Sequence, residues 1–340
     1  HRTMTHQNFL DCADFSAGEI TELLQLARHL EHHPEPQALA GKVLGLLFMN
    51  PSLRTLASMQ SGMARLGGSS FVITPGQGTW AMESRLGVRM DGVAAEHMRE
   101  GLPVLAGYCD ALGIRSFAEG KDLERDVSDA AFMEMAALID RPLINLESAI
   151  NHPCQALADW KTLEDLSIPK RARLVLSWVP HPRALPLAVP AAALTMAAQR
   201  GHEVVIANPE GFDLPPALLQ KAQRLADQSG GRVIQTHSQR EALEGAHVVY
   251  AKEWGMTEPY GHAEAYSERV AQLQDWQITP AVFQTTQPTA RLMHCLPVRR
   301  NVAISDAVLD GPHSVVIHQA HNRLWAQMAI LHRLLSPSRI

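Results

Sequence analysis

Residues 42–68 read KVLGLLFMNPSLRTLASMQSGMARLGG, and their grammar recurs along the whole chain. Lys42–Met49 is a short, unbroken apolar run, the pattern of a strand buried on both faces. Pro51 and Ser52 then open a helix toward Leu66, because proline fits a first turn whose N–H groups have no helical partners. Gly67-Gly68 ends that helix. Working outward, Ser16-Ala17-Gly18-Glu19 has capping-box spacing, and Ile20, Leu23, Leu24 and Leu26 follow at helical intervals. Further strands are predicted at Ser69–Thr74, Ala111–Arg115 and Pro142–Leu146, with helices near Glu96–Cys109 and Ala130–Ile139.

The second half repeats the alternation. Strands are expected at Arg173–Trp178, Glu203–Ala207, Arg232–Gln235, His247–Ala251, Leu292–His294 and Ser314–Ile317. Helices are expected near Leu185–Arg200, Pro215–Ser229 and Asn322–Leu335. Alternating strands and helices imply parallel sheets covered on both faces. The expected fold is α/β, with two domains that each hold a mainly parallel sheet flanked by helices. At 340 residues and 46% apolar composition, the chain can bury two cores. Ligands of such sheets bind beyond the carboxyl ends of strands, so the candidate residues are sought there.

Net charge is −5, which gives no reason to expect nucleic acid or an anionic membrane as a partner. No apolar run reaches the ~18 residues of a membrane-spanning helix. His1-Arg2-Thr3, ahead of Met4, lack the apolar core of a signal peptide and read as a leftover of an expression tag. Cys12, Cys109, Cys154 and Cys295 fit no zinc spacing, so reduced thiols in a cytoplasmic protein and no metal site are expected. No G-x-G-x-x-G follows a predicted strand, which argues against a nicotinamide dehydrogenase.

Three short segments carry chemistry. Asn50-Pro51-Ser52-Leu53-Arg54-Thr55 follows a strand and opens a helix, where free amides and the helix dipole attract an anion. Ser52 and Thr55 add hydroxyls, and Arg54 a planar fork suited to phosphate. The bland reading is a cap with a solvated arginine. Arg115 ends another strand. Asn151-His152-Pro153-Cys154-Gln155 puts His152 at a helix N-terminus, which disfavours the imidazolium and leaves a neutral ring able to donate to a carbonyl. Packing at a domain junction is its bland counterpart. His294-Cys295-Leu296-Pro297 ends a late strand, and its carbonyls could accept from an amine. Nothing pairs a His-Asp couple with Cys295, so a thiol nucleophile is not favoured.

Together, Ser-x-Arg-Thr, His-Pro-x-Gln and His-Cys-Leu-Pro resemble the aspartate/ornithine carbamoyltransferase family in order, spacing and chain length. The resemblance implies residues 1–150 as a carbamoyl phosphate-binding domain and residues 151–320 as an acceptor-binding domain. Residues 321–340 would form a C-terminal helix crossing back to the first domain. It also implies trimers with active sites between subunits and no cofactor. Ser52, Leu53, Arg54, Thr55, Arg115, His152, Gln155 and Arg299 match the carbamoyl phosphate site. Thr55, Arg115 and His152 would stabilise the oxyanion and, with Cys295, make up the catalytic set, and Cys295 and Leu296 would line the site.

Departures narrow the acceptor. Ornithine-specific members carry Asp-x-Trp to receive an α-ammonium, whereas this chain has Lys252-Glu253-Trp254. A lysine there would repel free ornithine and suit a blocked α-amine. The segment resembles the branch using N-acetylornithine or N-succinylornithine, for which Trp80, Glu147, His181, Lys252 and Arg323 would meet the acceptor, with Trp80 entering a neighbouring subunit's site. Acetyl-type members carry Glu before Glu96, where this chain has Ala95, and Lys where it has Ala303. Alanine does not repel a second carboxylate, which favours N-succinyl-L-ornithine, in arginine biosynthesis, over N-acetylornithine or another acylated diamine. A non-catalytic carbamoyl phosphate- or amino acid-binding paralogue is the alternative of another class. Leu56 stands where the family usually continues Arg-Thr-Arg, one cation fewer beside the donor segment.

Overall fold

A computed structural model of the chain describes residues 7–336, so the reading of His1-Arg2-Thr3 lies outside the described residues. The first half runs α1 (Ala17–His32), β1 (Val43–Phe48), α2 (Arg54–Arg65), β2 (Ser69–Ile73), β3 (Met82–Glu83), β4 (Glu96–His97), α3 (Met98–Gly107), β5 (Ala111–Arg115), α4 (Leu123–Val127), α5 (Ala130–Ala136) and β6 (Leu143–Glu147). The second half runs α6 (Pro153–Asp165), β7 (Arg173–Trp178), α7 (Ala188–Arg200), β8 (Glu203–Ala207), α8 (Pro216–Ser229), β9 (Arg232–Thr236), α9 (Gln239–Leu243), β10 (Val248–Lys252), α10 (Ala263–Val270), β11 (Arg291–Met293), α11 (Asp306–Leu309) and α12 (Val316–Leu335).

The chain forms two compact units. The first holds the described residues up to Ala118, Asp129–Ala149 and the described residues from Arg323 onward; the second holds Glu119–Ser128 and Ile150–Asn322. The excursion 119–128 belongs to the second unit because Asp126 fastens it there. The Asp126 carboxylate accepts from the Glu119 and Gly120 amides and from the Tyr260 hydroxyl at 2.5 Å. α12 serves both units, contributing Val316–Asn322 to the second and the rest to the first.

In the first unit, four parallel strands lie in the order β2-β1-β5-β6. Leu47, Leu112, Ile114 and Leu143 pack with Leu102, Phe132 and Met135 from the helices. α1 starts with the expected capping box: Ser16 accepts from the Glu19 amide and Glu19 accepts from the Ser16 amide. Such a cap is worth about 1 kcal/mol. α12 packs on α2 at Gly62, where a Cβ would sit 3.1 Å from Met328.

In the second unit, five parallel strands lie in the order β11-β10-β7-β8-β9. Val175, Val205, Ala207, Val249 and Leu292 form the centre of its core. The continuous apolar runs of β7, β8 and β10 have this covering as their cause, since a strand central to a parallel sheet is shielded on both faces.

Several expected boundaries shift. Ser314–Ile317 is not a strand: Ser314 makes one bridge to Leu292, and helix α12 begins at Val316. The β-branched run there imitates a strand, but burial at Val315, Val316, Gln319, Asn322 and Arg323 follows the helical period. α2 begins at Arg54, with Ser52 accepting from the Thr55 amide at 3.1 Å. Glu96–His97 forms the short ribbon with β3, and the helix expected from Glu96 starts at Met98 behind the His97 cap. Among the described residues, no helix is long and apolar enough to cross a membrane.

Two measurements check this packing. Gly41 and Gly67 both have positive φ, but a Cβ on Gly41 meets nothing within 4 Å, whereas one on Gly67 would lie 2.2 Å from the Pro36 carbonyl oxygen. Gly41→Ala should cost about 1–2 kcal/mol for its left-handed backbone. Gly67→Ala should cost about 3 kcal/mol or more, because backbone must also move. Equal shifts in the denaturant midpoint would refute the carbonyl contact. The second concerns His202, fully buried, whose Nδ1 lies 2.9 Å from the Ala172 carbonyl and whose Nε2 faces Arg200 at 2.8 Å. Burial first, then the Arg200 charge, pulls its pKa down to about 4, against the pull of the Ala172 carbonyl. The folded state therefore refuses a proton that the unfolded chain takes up from pH 6.5 downward. Stability of the second unit should fall as pH drops from 6.5 through about 4. The fall should be shallower in His202→Gln, read from denaturation midpoints across that range.

Candidate active site

Each sheet begins at an inner strand and winds outward in both directions. In the first unit, β1 lies between β2 and β5, and Phe48 pairs with Arg115 at the carboxyl ends. In the second unit, β7 lies between β8 and β10, and Trp178 pairs with Lys252. In open parallel sheets, ligands bind beyond the carboxyl ends of the strands where the winding reverses. The segment Asn50–Thr55 and Arg115 occupy the first such place; His181 and Lys252 occupy the second.

At the first switch point, Arg115 is held from three sides. It donates to Glu147 at 2.9 Å and to the Pro51 carbonyl at 3.1 Å, and lies 4.5 Å from the Phe117 ring centre. The pair with Glu147 exists because the β5–β6 register shifts at Ile114/Arg115 and sets Arg115 opposite Glu147. The Pro51 bond ties the guanidinium to the loop that carries Ser52 and Arg54. The buried Thr55 hydroxyl accepts from Arg323 at 2.7 Å. Arg323 also donates to Gln327, and Gln327 donates to Ser58 at 2.6 Å. A polar seam thus runs between α2 and α12. Leu53 is 72% exposed. Trp80 is also exposed and donates to Glu96 at 2.8 Å, next to exposed Ala95.

In the second unit, His152 is buried and takes the N-cap position of α6, ahead of Pro153 in the first turn. Gln155, one turn along, donates its amide to Asp159 at 2.8 Å. His181 follows β7, with its Nδ1 2.9 Å from the Arg183 carbonyl and its Nε2 accepting from Arg299 at 3.3 Å. The Arg183 amide also reaches Nδ1, at 3.0 Å, so these contacts do not select one tautomer. Burial pushes this histidine below its ordinary range, with the Arg299 and Lys252 charges helping, against the Arg183 carbonyl and Glu253. The ring is therefore neutral at pH 7.

Lys252 ends β10 almost fully buried, 3.5 Å from the Glu253 carboxylate. Glu253 also receives His294 Nε2 at 2.7 Å, while His294 Nδ1 accepts from the Leu296 amide at 2.8 Å. These two contacts fix the Nε2–H tautomer of His294. Burial alone would raise the Glu253 carboxyl, but His294 and Lys252 outweigh it and hold the group well below the usual carboxylate range. Leu296 has φ +64, a costly backbone for leucine that its amide bond to His294 helps to hold. Cys295 is buried and forms no disulfide.

Within the first unit, the structure thus joins Arg115 to Glu147 and Thr55 to Arg323. Within the second, it joins His181 to Arg299, and Lys252 through Glu253 and His294 to Leu296. Glu147 and Arg323, expected at an acceptor, are engaged with Arg115 and Thr55. Sequence reasoning overlooked Glu253, Asp159, Tyr250 and Gln319. Asp159 left a signal, since Gln and Asp four apart on a helix face one another. Glu253 left none, because its partner His294 comes from a different strand end.

Comparison with known proteins follows the same lines. The family model described as "Aspartate/ornithine carbamoyltransferase, carbamoyl-P binding domain" matches residues 7–165. Its companion, the "Asp/Orn binding domain", matches residues 189–334. An N-acetylornithine carbamoyltransferase of Xanthomonas campestris pv. campestris is 36% identical, over 99% of this chain and 100% of its own length. An N-succinylornithine carbamoyltransferase of Bacteroides thetaiotaomicron is 35% identical, over 86% of this chain and 87% of its own. A crystal structure of acetylornithine transcarbamylase complexed with acetylcitrulline superposes with a TM-score of 0.92 at 36% identity, covering 96% of this chain and 99% of that one. A glutamate-to-alanine variant of N-acetyl-L-ornithine transcarbamylase, complexed with carbamyl phosphate and N-succinyl-L-norvaline, has the same score, identity and coverage. By motif, by fold and by likeness along almost its full length, this chain belongs to the aspartate/ornithine carbamoyltransferase family.

Proposed function

We propose that the chain transfers the carbamoyl group of carbamoyl phosphate to the side-chain amine of an N-acyl-L-ornithine, and that N-succinyl-L-ornithine is the preferred acceptor. The amine nitrogen bonds to the carbamoyl carbon, the C–O bond to phosphate breaks, and the amine proton leaves with the phosphate. The products are N-acylcitrulline and phosphate.

The observation that carries this reading is Lys252. Its ammonium is buried at the β7–β10 switch point and paired with Glu253, where ornithine-specific members of the family carry Asp. A buried cation meets a neutral acyl oxygen or a carboxylate favourably and an α-ammonium unfavourably. Arg54, Ser52, Leu53 and Thr55 are assigned to the phosphate, and Thr55, Arg115 and His152 to the developing oxyanion. Gln155 is assigned to the carbamoyl group, and Leu296 to the acceptor. Trp80, Ala95, Glu147, His181, Lys252, Cys295 and Arg323 are assigned to the acceptor, and Arg299 to the donor. A homotrimer, with Trp80 completing a neighbour's site, follows the family pattern. The four buried cysteines, none in a disulfide, fit a reducing compartment such as the cytoplasm, where an N-acylcitrulline would serve arginine biosynthesis.

N-acetyl-L-ornithine is the second reading, since relatives named for each acceptor are about equally similar to the chain, at 36% and 35% identity. Ala95 supports the succinyl compound as the first choice. Acetyl-type members place a glutamate before the residue matching Glu96, and a glutamate-to-alanine variant of one such enzyme holds an N-succinyl ligand. Purified protein should carbamoylate N-succinyl-L-ornithine roughly tenfold faster than the acetyl compound, and free ornithine more slowly than either. Ala95→Glu should lower the succinyl rate about tenfold and leave the acetyl rate within about threefold. The opposite ranking in the wild-type protein would reject the succinyl assignment. No transfer to any acylated diamine would favour the non-catalytic paralogue. Calorimetry should also find one carbamoyl phosphate per chain despite Leu56. Arg54→Met should weaken that binding by about 30-fold, the equivalent of a charge-assisted hydrogen bond of about 2 kcal/mol.

A further inference from the structure

We propose that Asp159 is a positioning residue for the carbamoyl group: its carboxylate fixes which end of the Gln155 side-chain amide meets the substrate. The inference rests on the carbamoyl-transfer reading above and deepens it.

Three donors converge on Asp159, which is 1% exposed. Gln155 Nε2 and Gln319 Nε2 each reach Oδ1 at 2.8 Å, and the Tyr250 hydroxyl reaches Oδ2 at 2.6 Å. A carboxylate without a proton satisfies all three, because it can only accept. A side-chain amide is otherwise ambiguous, since its two ends have similar shape and opposite hydrogen-bonding character. Facing Asp159, the Gln155 amide has one workable direction. Its NH2 points to the carboxylate and its carbonyl oxygen is the end offered elsewhere. That oxygen can receive an N–H and cannot donate to a carbonyl.

The same logic fixes Gln319. Its NH2 faces Asp159, and its carbonyl oxygen accepts from the His294 amide at 3.0 Å. Both ends of Gln319 therefore agree with an accepting Asp159. The carboxylate also reaches the segment that carries Cys295 and Leu296, through Gln319 and the His294 backbone. Tyr250, two residues before Lys252 on β10, supplies the third anchor. One buried group thus sets an amide direction on α6 and steadies the strand end of β11.

For the reaction, the consequence is a donor preference. Carbamoyl phosphate carries an NH2 that an accepting Gln155 oxygen can hold. Acetyl phosphate has a methyl group in its place and inorganic phosphate has neither. Wild-type protein should bind carbamoyl phosphate at least about tenfold more tightly than acetyl phosphate, because a site built to hydrogen-bond a group rejects the analogue lacking it. Asp159→Asn keeps the shape and adds a donor, so the Gln155 amide can turn either way. That variant should narrow the preference about tenfold. Inorganic phosphate, which the first unit's segment is assigned to hold, should keep its affinity within about twofold.

The deciding measurement is a double-mutant cycle on the ratio of carbamoyl to acetyl phosphate affinity, read by calorimetry on the full chain. In a Gln155→Leu background, Asp159→Asn should have no further effect on the ratio. Multiplying effects, an unchanged ratio in Asp159→Asn alone, or an equal loss of inorganic phosphate binding would each overturn the proposal. Asp159→Ser, which keeps an accepting oxygen and admits a water, serves with the same readouts if the asparagine variant does not fold. A wild-type protein that binds no carbamoyl phosphate would instead overturn the carbamoyl-transfer reading itself, a separate outcome.

Discussion

A parallel sheet that starts at an inner strand has to reverse its winding once, and the two connections at that reversal leave the sheet on opposite faces. Both units obey this constraint, at β1–β5 in one and β7–β10 in the other. The constraint places chemistry before any side chain is chosen. It puts the loop after Phe48 beside Arg115, and the turn after Trp178 beside Lys252. Polar groups that would be costly within the strands become useful at their ends, where backbone and side chains stop pairing with neighbours.

Buried charge at these ends is balanced locally. Arg115 faces Glu147, and Lys252 faces Glu253. Such pairs contribute little net stability, since desolvation offsets attraction, but removing one partner leaves a buried charge uncompensated and costs several kcal/mol. Their value is geometric. Arg115 is locked against the Pro51 carbonyl, and Glu253 fixes a single tautomer of His294, which in turn holds the Leu296 amide. Directional acceptors, more than charge totals, determine how the candidate groups point.

Strands were legible wherever burial was continuous: β5, β7 and β8 coincide with the expected limits because apolar runs mark strands covered on both faces. The start of α12 was not legible, because its buried face carries Gln319, Asn322, Arg323 and Gln327, and apolar periodicity cannot register a polar face. The 119–128 excursion was invisible for a related reason. Asp126 belongs to the second unit through Tyr260, a partner 134 residues away. In the candidate site, residues that end strands could be found by position. Those acting through another side chain could not, with Asp159 the exception, since its partner Gln155 lies one helical turn away.

The segment Ser52–Leu56 shows how far local motif reading carries. Leu56 removes a guanidinium that the family usually places directly after Thr55, and by sequence alone the loss concerns donor affinity. The fold adds a term that spacing cannot show. Arg323, from the far end of the chain, donates to the Thr55 hydroxyl at 2.7 Å, and it is held there by Gln327. A cation therefore stands beside this segment even without one at position 56. Its location differs from that of a helix side chain one step along, since it is fixed to a hydroxyl and not left to solvent. Charge near an anion site is thus a property of what packs on the helix as well as of the helix itself. A departure from a motif has its meaning only once the packing partner is known.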